Sequence, residues 1–258
     1  MKICCIYAYY EKNELYKSNF EYFLNHAILD HVDYYIVIND NSSIAIPEKH
    51  SNITVYYRQN FGYDFGAYCH GLNKIIKSYD FYFFCNTSVR GPYFLDDYIH
   101  QDKKDWVDYF IGLFNTDEIM IVGTTINIRN NKMYYQFDLS CLYGEKIVYS
   151  HVQTMFFCLK KEYFLYLNQI NFFNEDELCD KNKNYIILYK EFGLSQLALN
   201  AGKNINCLLF KYRNLNYTTL TTDINPTSRE GDPYFESAYF AESINPYQVI
   251  FFKNNRGL

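Results

Sequence analysis

The sequence has no apolar run near the roughly 20 residues that a membrane span requires, so no spanning segment is expected. It also lacks a basic surplus. Its 24 Lys and Arg stand against 29 Asp and Glu, a net charge of -5, which argues against a nucleic-acid binder and its basic face. Glycine is scarce, and the glycine loops that cradle phosphates are missing. YAYYEKN stands after the first apolar run, where a dinucleotide fold would place G-x-G-x-x-G, and there is no Walker A loop. The absence of G-x-S-x-G removes the usual serine-hydrolase elbow. The histidines are scattered, with no H-E-x-x-H zinc signature. No two of the eight cysteines form C-x-x-C, and most lie in apolar runs such as ICCIY, YFFCN, FFCLK and NCLLF. Small buried hydrophobes in a reducing compartment are expected, not a zinc ribbon or a redox pair. The opening MKICCIYAYYEKNE has one Lys and an apolar run that stops at Glu11, so a secretory leader is not expected and a cytoplasmic location is.

What is abundant is aromatic. Tyr (29) and Phe (22) supply most of a 20% aromatic content, beside many Asn, Lys and Ile. These residues share A/T-rich codons, so genome bias explains the excess; a surface for stacking on sugars is the functional alternative. The 258 residues are enough for one domain with a substantial core.

The first third alternates strand and helix patterns. Apolar or β-branched runs at 2–9, 34–40, 52–57 and 80–86 read as strands, and helical periodicity marks 12–30 and 65–78. This alternation predicts an α/β fold with a mostly parallel central sheet flanked by helices. Further on, the patterns predict a helix at 103–114, strands at 118–123, 151–159 and 204–210, a short helix at 160–168 and a helix at 190–202. The stretch 124–147 reads as irregular with hairpin character, and 171–184 as an exposed polar loop. Without a repeat or a linker, 1–258 is expected to form a single domain, with a ligand-binding half at 1–92 and a loop-rich half at 93–258.

In an open α/β sheet, ligands bind beyond the carboxyl ends of the strands, where the strand order switches. The residues to inspect there are Tyr9 and Tyr10, then Asp40–Ser43, then Arg58–Asp64, then Asn86–Arg90. A carboxylate such as Asp40 accepts bonds from ribose hydroxyls or a base N–H, and Arg90 offers a fork of donors suited to a diphosphate. The plain alternative is an Asx turn at Asp40–Asn41 and a surface ion pair for Arg90.

The order strand, NDNSS, QNFGYDFGAY, strand, CNTSVRGP resembles the nucleotide-sugar-binding half of GT-A glycosyltransferases. More narrowly, N-x-G-x-D-x-G-A-Y followed by F-x-N-x-S-V-R-G-P resembles a group of small viral, bacterial and plant rhamnosyltransferase-like proteins. That group includes a chlorovirus capsid rhamnosyltransferase domain and rhamnan-synthesis-type proteins. HVQTMFF, EFGLSQLALNAGKNI and INPYQVIFFKNNR extend the resemblance over nearly the whole chain.

The resemblance implies a nucleotide-diphosphate-sugar donor, a glycan acceptor and sugar transfer in surface or capsid glycan synthesis, by single displacement with inversion. It implies donor binding by Tyr7, Tyr9, Asp40, Asn60, Asp64, Asn86, Thr87, Ser88 and Arg90. Asn86-Thr87-Ser88 occupy the place of the D-x-D metal motif, so a divalent cation (Mn or Mg) would rest on Asp64, or Arg90 and helix N–H groups would neutralise the leaving diphosphate without one. Glu191 matches the acidic residue at a helix N-terminus that deprotonates the acceptor hydroxyl, with Asp138 as its rival. A carboxylate placed there by the helix dipole is the structural alternative for Glu191. His151 and Gln153 fall on the acceptor side. The tail reads Asn245-Pro246-Tyr247-Gln248 where the family has H-P-Y-E, so a contact from that His is lost. A sugar-nucleotide pyrophosphorylase would need a Gly-rich signature after the first strand, and a non-catalytic nucleotide-sugar or glycan-binding module is the remaining alternative.

Overall fold

The computed structural model describes residues 1–46, 50–94, 104–128 and 150–254. Strands in chain order are β1 (Ile3–Tyr10), β2 (Val32–Asn39), β3 (Ile53–Arg58), β4 (Phe81–Asn86), β5 (Val89–Arg90), β6 (Ile119–Gly123), β7 (Ile126–Ile128), β8 (Ser150–Val152), β9 (Phe156–Lys160), β10 (Asn204–Cys207) and β11 (Phe252–Lys253). Helices of four residues or more are α1 (Glu14–His26), α2 (Tyr63–Lys74), α3 (Trp106–Ile111), α4 (Lys161–Gln169), α5 (Gly193–Asn200) and α6 (Pro246–Val249), with a π-helical stretch at Ile186–Phe192. The chain divides into two compact units: Met1–Pro92 with Thr154–Ile187, and Tyr93–Gln153 with Leu188–Leu258. The return of 154–187 to the first unit is absent from the division expected at residue 92.

The first unit is an α/β sheet in the order β9-β4-β1-β2-β3. β1 pairs in parallel with β2 and with β4, and β2 with β3; only β9 runs antiparallel, against β4. Consecutive β1 residues show why its run is apolar throughout. The Tyr7 ring packs on Phe20 and Phe23 of α1, while Ile6 on the other face lies under α2, where a Cβ on Gly71 would come within 2.9 Å of its Cγ2. β1 is buried on both faces from Ile3 to Tyr9, as a parallel strand between helical layers must be.

In the second unit β10 pairs in parallel with β6, and β7 pairs antiparallel with β8. The seryl Oγ of Ser195 on α5 accepts from the Val152 N–H at 3.0 Å, and the Gln196 amide donates to the Ser150 carbonyl at 3.2 Å. Two residues of the EFGLSQLALNAG motif thus satisfy the backbone of β8.

The strand expected at 151–159 is two strands. Residues 153–155 break it, because their backbone groups are used elsewhere. The Gln153 N–H bonds to Thr125 O, Thr154 O accepts from the Tyr68 hydroxyl, and Met155 O accepts from the Asn86 N–H. The helix expected at 190–202 begins earlier, as the π-helical stretch that leads into α5. Seven cysteines are described and all are free thiols; six are buried and Cys179 is exposed, while Cys141 lies outside the described residues. Burial pushes the thiol pKa values of Cys4, Cys5, Cys85 and Cys158 up, and that of Cys207 to about 12, so these groups are core packing. Among the described residues no helix is long and apolar enough to cross a membrane.

Candidate donor-binding site

From β1 the strand order runs outward through β2 and β3, and β4 then inserts on the other side of β1. That reversal is a topological switch point, where the diverging loops leave an opening at the carboxyl ends of the strands. A cavity of about 370 Å³ lies there, within the first unit. Its lining includes Ala8 and Tyr10 from the end of β1, Asn39 from the end of β2, and Asn86, Thr87 and Ser88 from the end of β4. Asn60 from the β3–α2 loop and Tyr63 and Asp64 from the first turn of α2 also face it, with Lys12, Tyr16 and Lys183.

The β3–α2 loop owes its shape to two glycines and one arginine. Gly62 holds φ 66°, a left-handed conformation natural to glycine, and Tyr63 follows at φ 54°. A bulky residue at positive φ is uncommon, and such strain gathers at functional sites; here it holds an exposed ring at the cavity wall. Gly66 permits the return of the chain, since a Cβ there would lie 2.1 Å from the Phe61 carbonyl oxygen. The buried Arg58 guanidinium donates to Asn39 Oδ1 at 2.6 Å, to the Phe61 carbonyl at 3.1 Å and to Glu175 Oε1 at 3.1 Å, with its plane over the Phe61 ring. Glu175 also meets Nδ1 of His70 at 3.1 Å. Burial lowers the Arg58 pKa, and Glu175 opposes that shift.

Asp64, in the first turn of α2, is the single carboxylate among the described residues lining this cavity. Its Oδ2 accepts from the Asn86 amide at 2.9 Å and its Oδ1 from the Phe65 N–H at 3.1 Å. Asn86 Oδ1 in turn takes the Ser88 N–H at 2.9 Å and the Ser88 hydroxyl at 2.6 Å. The N-x-G-x-D and N-x-S motifs are therefore joined in one hydrogen-bonded chain, Asp64–Asn86–Ser88, from the start of α2 to the end of β4.

Asp40 lines a neighbouring, more open concavity with Glu11, Asn41, Ser42 and Ser43, which shares Tyr10 and Asn39 with the first. The Asp40 carboxylate accepts from the Asn60 N–H at 2.8 Å and so ties the β2 and β3 loops together. It does not close an Asx turn on its own loop. Glu11 accepts from the Tyr9 hydroxyl at 2.8 Å and from the Ser43 N–H at 2.7 Å; the Ser43 bonds, foremost among its partners, lower its pKa.

Three expected donor contacts lie elsewhere. Tyr7 is in the core under α1. The Tyr9 ring is fully buried and stacked on Phe20, because its position faces inward while Tyr10, next along the strand, faces the cavity. Arg90 donates from one terminal nitrogen to the Ser18 hydroxyl and carbonyl at 3.0 and 3.2 Å and lies over the Tyr22 ring, so it packs on α1, and it is not among the residues lining the cavity. The cations that do face the cavity, Lys12 and Lys183, were missed by sequence. Lys12 comes two residues after β1, and Lys183 falls on the polar segment read as an exposed loop.

Glu191, in the second unit, lies in the π-helical stretch and not at a helix N-terminus, so the helix dipole does not account for it. Its Oε1 is 4.0 Å from Nε2 of His151, and the His151 ring packs on Phe192. The Glu191 side chain is 25% accessible, whereas that of His151 is 3% accessible. Gln153 is buried, its Oε1 accepting from the Thr125 hydroxyl at 2.6 Å. Asp138 lies outside the described residues. The second unit also holds a cavity of about 510 Å³, with aromatic walls including Tyr93, Tyr109 and Phe210 and with Arg213 and Asn245 at its edge.

Among the described residues no three His, Cys, Asp or Glu gather as a metal cage. A divalent cation needs fewer ligands from the protein where a diphosphate supplies the rest. Asp64 is the carboxylate that such a cation would meet among the described residues lining the cavity.

No protein-family model matches the chain, and no curated protein matches it. Its structure is similar to the mannosyltransferase PcManGT from Pyrobaculum calidifontis, in complex with GDP-Man and Mn2+, at 11% identity and a TM-score of 0.37, covering 66% of this chain and 46% of that one. It is similar to S. aureus TarS 1-349 in complex with UDP-GlcNAc, at 10% identity and a TM-score of 0.46, covering 88% and 63%. It is also similar to 4-diphosphocytidyl-2C-methyl-D-erythritolsynthase from Anaerococcus prevotii, at 12% identity and a TM-score of 0.43, covering 86% and 93%. The chain thus spans between about half and two thirds of the two glycosyltransferase chains. The α/β assignment rests on the parallel ladders themselves.

Proposed function

We propose that the chain is a glycosyltransferase that binds a nucleotide-diphosphate sugar at the switch-point cavity and moves the sugar to a glycan hydroxyl. The observation that carries this reading is the Asp64–Asn86–Ser88 chain lining a cavity at the carboxyl ends of β1 and β4. In the proposed pose the nucleoside lies along Asp40 and Ser42, the diphosphate by Thr87 and Ser88, and the sugar by Asp64 and Asn60. Asp64 would be the protein ligand of a divalent cation, which when bound supplies positive charge beside the diphosphate.

Glu191 is the proposed general base, with Asp138 as its rival and His151 and Gln153 on the acceptor side. Its carboxylate takes the proton of the acceptor hydroxyl as that oxygen bonds to C1. The bond from C1 to the diphosphate oxygen breaks, and the nucleoside diphosphate leaves with the electron pair, inverting the anomeric centre. His151, whose Nε2 lies 4.0 Å from Glu191 Oε1, would be the imidazole beside that carboxylate. A deoxyhexose such as rhamnose, and a surface or capsid glycan, are the donor and acceptor classes proposed from the sequence resemblance.

The test is release of nucleoside diphosphate from a panel of UDP-, GDP- and dTDP-sugars, with and without Mn²⁺ and with oligosaccharide acceptors. Glu191→Gln is expected to keep donor affinity and lose transfer. Donor binding without turnover under every acceptor would make the chain a binding module, and unchanged transfer in Glu191→Gln would remove that residue from the mechanism.

A further inference from the structure

The cavity contains one anionic side chain and two cationic ones. Asp64 is already engaged by Asn86 and by the Phe65 N–H. Lys12 and Lys183 line the same cavity, and neither makes an ion pair or a side-chain hydrogen bond among the described residues. They reach it from remote parts of the sequence. Lys12 is placed by the turn after β1, its N–H bonded to Tyr10 O at 2.9 Å. Lys183 directly follows Asn182, whose side chain accepts from the Tyr185 N–H at 3.0 Å and fixes the start of that helical segment. Other basic residues nearby are committed: Arg90 to Ser18 and Tyr22, and Arg58 to Asn39, Phe61 and Glu175.

A cavity lined by two uncommitted ammonium groups and one hydrogen-bonded carboxylate carries a net positive charge, and it favours a ligand with two or more negative charges held close together. We propose that Lys12 and Lys183 are the diphosphate-binding residues of this site, and that they supply counter-charge where the loop after β4 offers Asn86-Thr87-Ser88 in place of carboxylates. The assignment rests on the donor-site reading above and deepens it. It gives the role expected of Arg90 to two lysines and makes donor affinity depend on salt, since exposed ammonium groups are screened by ions. A lysine is a compact, mobile point charge on a flexible stem, suited to following a phosphate group that leaves.

The experiment measures affinity by calorimetry in EDTA for inorganic pyrophosphate, for UDP and GDP, and for uridine and guanosine. The proteins are the wild type, Lys12→Ala, Lys183→Ala and the double variant. Both lysines are exposed, so their removal leaves the core intact, and circular dichroism verifies folding. Each single substitution is expected to weaken diphosphate and pyrophosphate binding by about tenfold, the scale of one charge-assisted contact. Nucleoside affinity should change less than about twofold, and raised salt should weaken the wild type more than the double variant. Pyrophosphate binding that depends on the lysines, without any nucleoside or nucleotide binding, would support the lysine assignment and sink the nucleotide reading. Nucleotide binding unaffected by the double substitution would sink the lysine assignment and leave the donor reading standing. Absence of binding by all five ligands would overturn both.

Discussion

Arg58→Ala is the substitution that most directly asks whether the β3–α2 loop is built as described. The Arg58 side chain is 3% accessible, and its removal leaves Asn39 Oδ1, the Phe61 carbonyl and Glu175 short of donors. Each buried acceptor left unmatched costs about 1–3 kcal/mol. Asn39 Oδ1 is the most buried of the three. Phe61 and Glu175 are partly wetted and count for less, and Glu175 keeps His70. Against this stands the cost of burying the guanidinium in the native protein, visible in its lowered pKa, which the variant no longer bears. The balance is a loss of about 3 kcal/mol, near the low end for breaking a buried ion pair. For a chain of this size that is a fall of about 6–12 °C in melting temperature, read by calorimetry or circular dichroism. Nucleotide affinity should fall too, because the loop carries Asn60 and leads directly into Asp64 at the start of α2. A shift below about 2 °C would show that Arg58 does not hold the loop.

Gly66→Ala is expected to cost about 3 kcal/mol or more, since the new methyl would lie 2.1 Å from the Phe61 carbonyl and 3.0 Å from the Arg58 guanidinium; urea unfolding with a midpoint equal to that of the wild type would contradict this. The Asp33 carboxyl is held below its ordinary pKa: burial alone would raise it, but bonds from Tyr79 and Lys77 prevail. Its stabilisation is therefore present above the unfolded-state value near about 3.9 and is lost as pH falls through the lower folded value. Asp33→Asn should lower stability at pH 7 and flatten the loss below about pH 4 in acid titrations followed by fluorescence. An unchanged acid limb would place the acid sensitivity in other carboxylates.

The sheet was legible in the sequence because a parallel strand between two helical layers must be apolar on both faces, as ICCIYAY and YYIVI are. Asp64 was legible because Gly62 and Gly66 mark the turn into α2, and Asn86 and Ser88 because they are the polar residues that end the apolar run of β4. Side-chain direction was not. Tyr9 and Tyr10 are neighbours in sequence, and strand alternation sends only Tyr10 to the cavity. Arg90 looked like a phosphate ligand from its position, but Ser18 and Tyr22 of α1 were within its reach. Lys183 could not be found because the return of 154–187 to the first unit is a long-range event without a local signal. The break at 153–155 is equally silent locally, since it depends on Tyr68 and Thr125.

The central claim is that a nucleotide-diphosphate sugar occupies the cavity at the β1–β4 switch point. Asn60 is exposed and lines that cavity, so Asn60→Trp fills it without disturbing the core. Calorimetric titration of the preferred nucleoside diphosphate into the wild type and Asn60→Trp decides the matter. Binding to the wild type and its loss, by at least about tenfold, in a variant of unchanged melting temperature is the result expected. Equal affinity in the two proteins would put the ligand somewhere else.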